Sequence, residues 1–207
     1  MSDSFTVRPA TTDDSSVATA LLHLTMGYFA THLFGAGDTT RTIRILTQLF
    51  VRQQNRLSHQ FTDVVETNGQ VVGLVLSYPA MVMGKLGMSM SKQLWNIYGG
   101  LGFVRLAVLS LPMSFAHEAD ADEYFINTLA VSPDYQGRGI GTHLLQYAEE
   151  KARDAQCAKC SLSVDVSNVD ARRLYERMGF QVAETIRFDW FKFAGLYQNY
   201  HRMVKRL

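Results

Sequence analysis

Two cysteines among 207 residues cannot staple a fold, so a disulfide scaffold is excluded and a reducing setting is expected. An excess of charge of one sign is also missing. Twenty Lys+Arg stand against nineteen Asp+Glu, a formal +1, which argues against holding nucleic acid on a broad basic surface. Long hydrophobic runs are absent: the stretch from Leu106 to Phe115 contains Pro112 and falls short of the roughly 20 residues a membrane span needs. Met1-Ser2-Asp3-Ser4 has neither the basic nor the apolar part of a secretory signal. Repeats and low-complexity linkers are lacking too. The expectation is a single cytoplasmic domain over residues 1–207, without nucleic-acid or membrane partners. What is present is core-forming material: 47% of residues are apolar, 11% aromatic and 19% charged, too apolar and too weakly charged for disorder.

The patterning predicts an α/β (α+β) domain whose mixed, twisted sheet has about six to seven strands flanked by helices. Phe5 to Arg8 alternates like a half-buried strand that Pro9 ends, and Val17, Ala20, Leu21 and Leu24 follow at helical spacing. A second helix is expected from Thr40 to about Arg56. Asn68-Gly69 between two β-branched runs predicts a hairpin. From Glu123 the alternation is regular: strand 124–131, helix 139–155, strand 159–166, helix 168–178, strand 180–186 and a final strand 200–204. Residues 81–120 differ. Five of the nine methionines lie there with five glycines, and the spacing suggests two short helices. They extend the core, or they form an adaptable pocket or a homodimer face; core extension is slightly favoured.

Chemistry is concentrated where strand Leu129-Ala130-Val131 runs into Gln136-Gly137-Arg138-Gly139-Ile140-Gly141-Thr142. Glycines let a backbone approach a ligand, and a helix start has free N–H groups and a positive dipole end, which suits a phosphate or pyrophosphate. A tight turn would explain one glycine; three at alternate positions favour an anion site. A P-loop needs Gly-Lys-Ser/Thr, and a dinucleotide fingerprint needs glycine where Thr142 stands, so a nicotinamide-dependent oxidoreductase is disfavoured without being excluded.

Gln136-x-x-Gly139-x-Gly141 after that strand resembles the acyl-CoA-binding signature of the GNAT N-acetyltransferase superfamily. The segment Asn168 to Phe180, with Ala171, Leu174-Tyr175-Glu176 and Gly179-Phe180, is similar to the second motif of that superfamily. The motifs cover about residues 123–186, and the 81–120 insert is atypical. The resemblance implies an acetyl-CoA-dependent N-acetyltransferase without a metal. It would act on a primary amine of a small molecule or peptide, by direct attack through a tetrahedral intermediate. Leu129, Ala130 and Val131 would pair with the pantetheine arm. Gln136, Gly137, Arg138, Gly139, Ile140, Gly141 and Thr142 would form the pyrophosphate loop, Arg138 chiefly through its backbone. Asn168 would bond the arm, although it suits a helix N-cap equally. Tyr175, seven residues on and on the same helix face, would be the general acid.

Many relatives place a Glu where Ser163 stands, which leaves the base unassigned. Glu123, by strand parity with Asn127 and Leu129, Asp165, by parity with Ser163, and water are the candidates. A CoA-binding regulator without turnover is the alternative from another class. Cys157-Ala-Lys-Cys160 follows a helix instead of opening one, so packing cysteines are expected. Acids are absent from Thr67 to His117 and then cluster at Glu118, Asp120, Asp122 and Glu123. That cluster is expected to attract a cationic amine.

Overall fold

The hairpin at Asn68-Gly69 is the seed of the sheet. Both residues take positive φ, 51° and 74°, as a two-residue turn between right-twisted strands demands. They join β2 (Thr62–Thr67) to β3 (Gln70–Pro79), with Thr67 opposite Gln70. A computed structural model describes residues 5–111, 117–187 and 199–207. Around the hairpin the chain adds β1 (Thr6–Pro9), β4 (Glu123–Val131), β5 (Lys159–Asp165), β6 (Gln181–Ile186) and β7 (Tyr200–Arg206). The seven strands form one mixed sheet in the order β1-β2-β3-β4-β5-β7-β6. Among the described strands only β4 and β5 run parallel; every other pair is antiparallel.

Among the described residues five α-helices cover the two faces. On one lie α1 (Ser15–Leu33), α2 (Thr39–Val51) and α3 (Met83–Ser110). Their buried Leu22, Leu46, Leu49 and Phe50 pack on Leu74, Leu76, Tyr78 and Phe125. On the other lie α4 (Ile140–Asp154) and α5 (Val169–Arg177), whose Leu144, Leu145, Ala148 and Tyr175 pack on Val75, Tyr124, Ile126 and Leu162. The period-2 alternation of each strand sends successive residues to opposite cores.

Two helices depart from the spacing. The second ends at Val51 instead of about Arg56, because the buried Asn55 side chain donates to the Leu49 and Arg52 carbonyls and caps the chain there. The insert forms one helical stretch, α3, broken at Gly99, where φ is 68°; the two expected helices are its halves. Leu86, Leu94 and Leu106 fasten it to the core, as core extension requires. Cys157 and Cys160 are free, and burial pushes the Cys160 thiol up to about 12, the inert behaviour of a packing cysteine.

Among the described residues no helix is long and apolar enough to cross a membrane.

Candidate active site

The sheet contains a split. β4 and β5 pair from Glu123↔Lys159 to Ile126↔Leu162 and no further, although they continue to Val131 and Asp165. On its other edge β4 stays paired with β3 as far as Val131. From Asn127 onward β4 therefore has no strand partner on that edge, although the Val131 carbonyl accepts from Gln136 Nε2 at 3.1 Å. The cause lies in its register: Ile126 faces Ser77 and Thr128 faces Leu76, so Asn127 is an extra residue in the ladder, and a bulge of this kind bends its strand. The bulge also reverses the alternation. Phe125 belongs to the α1 side and Ile126 to the α4 side, yet beyond it Leu129 and Val131 join the α4 side and Ala130 the α1 side.

A cleft of about 860 Å³ passes through this split, within the size range of small-molecule and cofactor sites. Its floor includes Leu129, Ala130 and Val131. At one end sits the glycine loop. Gly137 and Gly139 take φ of 76° and 82°, the left-handed region that glycine enters without a Cβ penalty. Gly141 is glycine for a different reason: a Cβ there would lie 3.2 Å from Leu174 Cδ2 and 3.8 Å from Leu129 Cδ2. Gly139 is the N-cap of α4, and His143 N–H is the amide that donates back to its carbonyl, at 3.0 Å. The amides of Ile140, Gly141 and Thr142 precede that first helical bond and have no intrahelical acceptor. The first turn of α4 carries no acid, so its positive end is not neutralised by its own sequence.

Gln136, Gly137, Gly139, Ile140, Gly141 and Thr142 all line the cleft. Arg138 is not among its walls: its guanidinium stacks 5.0 Å over the Tyr135 ring and donates to the Asp134 carbonyl at 3.1 Å. Asn168 lines the cleft and also caps α5, its Oδ1 accepting from Ala171 N–H at 3.1 Å. Tyr175, two turns along the same helix, lines the cleft as well and is 8% exposed. Burial pushes its hydroxyl up to about 12, so it holds its proton throughout the neutral range.

Two expectations change, and the favoured reading of the insert stands. Glu123 does not reach the cleft. It is fully buried, with both carboxylate oxygens 2.7 Å from Arg202 and a further bond from Asp120 N–H at 3.0 Å. Its supposed parity with Leu129 is cancelled by the bulge at Asn127. The acidic cluster is likewise engaged elsewhere: Asp120 with His117 at 3.0 Å and Asp122 with Lys159 at 3.1 Å. Of that run only Glu118 lines the cleft. The insert helix contributes none of the cleft's walls, so its methionines and aromatics are not the pocket. Asp165 and Ser163 do line it, the Asp165 Oδ1 accepting from Ser167 N–H at 2.7 Å.

The structure adds residues that the patterning did not single out. Leu24, Met26 and Phe29 reach the cleft from α1, which is broken at Gly27. Asn127 donates to the buried Tyr78 hydroxyl at 2.9 Å. Arg56 Nε donates to the same hydroxyl at 3.2 Å, and its other end holds Glu118. These residues are scattered from position 24 to 127 with no shared spacing, so no sequence signal could have grouped them.

The model of the acetyltransferase (GNAT) family matches residues 29–180. The Escherichia coli K12 [ribosomal protein bS18]-alanine N-acetyltransferase is 39% identical over 70 residues, 34% of this chain and 47% of that protein. An uncharacterised N-acetyltransferase of Methanocaldococcus jannaschii is 37% identical over 82 residues, 40% of this chain and 31% of its own. The chain thus spans about a third to a half of the length of these relatives. The N-acetyltransferase of Staphylococcus aureus Mu50 has the same fold, with a TM-score of 0.73 at 23% identity over 96% of this chain and 99% of that one. The family model spans most of the chain, and the split sheet, glycine loop and capped α5 lie within that span: the protein belongs to the GNAT acetyltransferase family.

Proposed function

We propose that the protein transfers an acetyl group from acetyl-CoA to a primary amine of a small molecule or peptide. The observation that carries this is the meeting, in one cleft, of three chemically complementary parts. These are the first-turn amides of α4, the edge of β4 that β5 leaves uncovered and the protonated hydroxyl of Tyr175. Acetyl-CoA, when bound, supplies a thioester carbonyl that an amine can attack directly. The residues fit it: the loop Gly137–Thr142 and the α4 N-terminus suit its pyrophosphate. The β4 edge from Asn127 to Val131 suits an amide-bearing arm laid down like a strand. Asn168 stands beside that path.

N–H groups on the β4 edge stabilise the oxyanion that forms as nitrogen bonds to the carbonyl carbon. Tyr175 gives its proton to the sulfur as the C–S bond breaks, and solvent restores it. An alkylammonium, with a pKa of about 10.4, must lose a proton before attack, and the cleft offers Asp165 or water for this step. Support also comes from the relatives, several of which are named N-acetyltransferases.

Calorimetry with acetyl-CoA, followed by thiol release across an amine panel, tests the proposal. Saturable binding with amine-dependent release is expected. Binding without turnover on any amine would favour a CoA-binding regulator, and protection by a nicotinamide cofactor but not by acetyl-CoA would refute the reading.

A further inference from the structure

Resting on that proposed acetyl transfer, we infer that the acceptor is an apolar primary amine with no carboxylate beside its nitrogen, and that Glu118 recognises it. The cleft is lined from both faces of the sheet, and its two sides differ. The α4 side holds the glycine loop, Asn168 and Tyr175. The α1 side is walled by Leu24, Met26, Phe29 and Phe125, and the last three pack with the α1–α3 core. Glu118 belongs to this side, because Arg56 ties it to Tyr78, a member of the same core. An apolar wall facing one carboxylate is the complement of a hydrophobic body that ends in an ammonium.

Glu118 is built for a fixed contact. One carboxylate oxygen accepts from Arg56, and Arg56 is anchored by the Tyr78 hydroxyl, which also accepts from Asn127 at the bulge. The second oxygen of a carboxylate retains lone pairs, and the side chain is 28% exposed, enough to meet a ligand. Arg56 does not line the cleft, and the cation that does, Arg177, belongs to α5, so the charge presented to the acceptor on the α1 side is the negative one. The other acids of the cleft serve α5: Asp165 binds Ser167 N–H, and Asp170 sits in the first turn of that helix. A ligand with its own carboxylate next to the amine would set two anions against each other, which rejects it. Glu118 is thus a specificity residue, and Arg56 positions it.

The test compares 2-phenylethylamine with phenylalanine, which has the same ring and amine plus a carboxylate, by CoA release from wild type, Glu118→Gln and Glu118→Asp. Wild type should prefer 2-phenylethylamine in kcat/KM by about a hundredfold. Glu118→Gln should cut that preference about tenfold, equivalent to about 1.4 kcal/mol, chiefly by raising the amine KM. Glu118→Asp, which keeps the charge, should retain more of the preference than Glu118→Gln. Unchanged acetyl-CoA affinity in both variants shows that they fold. Equal use of the two amines by wild type, or a preference undiminished in Glu118→Gln, overturns the inference while leaving acetyl transfer standing. Failure of wild type to bind acetyl-CoA overturns both.

Discussion

Replacing Tyr175 by Phe removes one oxygen and leaves the packing, which makes it the sharpest test of the proton-transfer step. The ring stays where it is, edge-on to Phe180 at 6.2 Å between centroids. Burial alone accounts for the raised pKa of the hydroxyl, with no charged or bonding neighbour among the described residues contributing. Deleting it therefore breaks no hydrogen bond among the described residues, and stability should change by about 0.5 kcal/mol or less. The catalytic loss is of another size. General acid catalysis contributes roughly 10²–10⁴-fold, and a thiolate, whose conjugate acid has a pKa of about 8.5, leaves more readily than an alkoxide, which places the loss at the lower end. A drop in kcat of about 100-fold, or about 2.7 kcal/mol, is expected, with acetyl-CoA affinity unchanged. The pH profile carries the sign. A hydroxyl at about 12 stays protonated through pH 7–10, so it produces no falling limb there, and the rate should rise with pH as the amine deprotonates. The assays are steady-state thiol release, calorimetry and a thermal melt. A kcat within about threefold of wild type would remove Tyr175 from the mechanism, as would a loss matched by a lowered melting temperature.

Gly139→Glu forces a side chain onto a φ of 82° at the N-cap of α4 and sets a carboxylate where an anion is to bind. Acetyl-CoA affinity should fall by at least about 100-fold, and retained affinity by calorimetry would refute the pyrophosphate assignment. Glu123→Gln leaves the buried Arg202 with only the more distant Asp120, at 3.4 Å, as charge partner, so a loss of about 2 kcal/mol in urea unfolding is expected, with the ascending limb of the pH–rate profile unmoved; a shifted limb would restore Glu123 as the base. Arg8 holds the Asp14 carboxyl down to about 2. Its folded pKa lies below its unfolded value, so this stabilisation is present above about pH 4 and disappears as pH falls toward 2. Asp14→Asn should lower stability at pH 7 by on the order of 1 kcal/mol and flatten the melting temperature across that acid range, and an unchanged acid slope would contradict it.

Local patterning carried most of the element list because helices and hairpins are specified by neighbours in the chain. Asn68-Gly69 placed the β2–β3 turn, and the glycine run before Ile140 placed the start of α4. The 40–56 helix overshot because its end depends on Asn55 reaching back to the Leu49 and Arg52 carbonyls, a cap with no periodic signature. Strand parity failed at Glu123 for a related reason. One extra residue at Asn127 inverts the in–out alternation, and a bulge depends on the partner strand as much as on its own residues.

The chain by itself determined the end of the cleft that we propose holds the cofactor, because the glycine loop, Asn168 and Tyr175 lie within two short contiguous segments whose spacing fixes their faces. Only the tertiary structure decided the other end, which we propose takes the acceptor. Leu24, Arg56, Tyr78, Glu118 and Asn127 sit on separate elements, and nothing local relates them. They meet because β4 leaves β5 after Ile126 while staying on β3. That split opens the sheet to both faces, and the packing of α1 against one of them brings the Leu24–Phe29 segment to the opening. The acids illustrate the same division: their clustering was visible in sequence, but which one faces the cleft was settled by ion pairs formed across the fold.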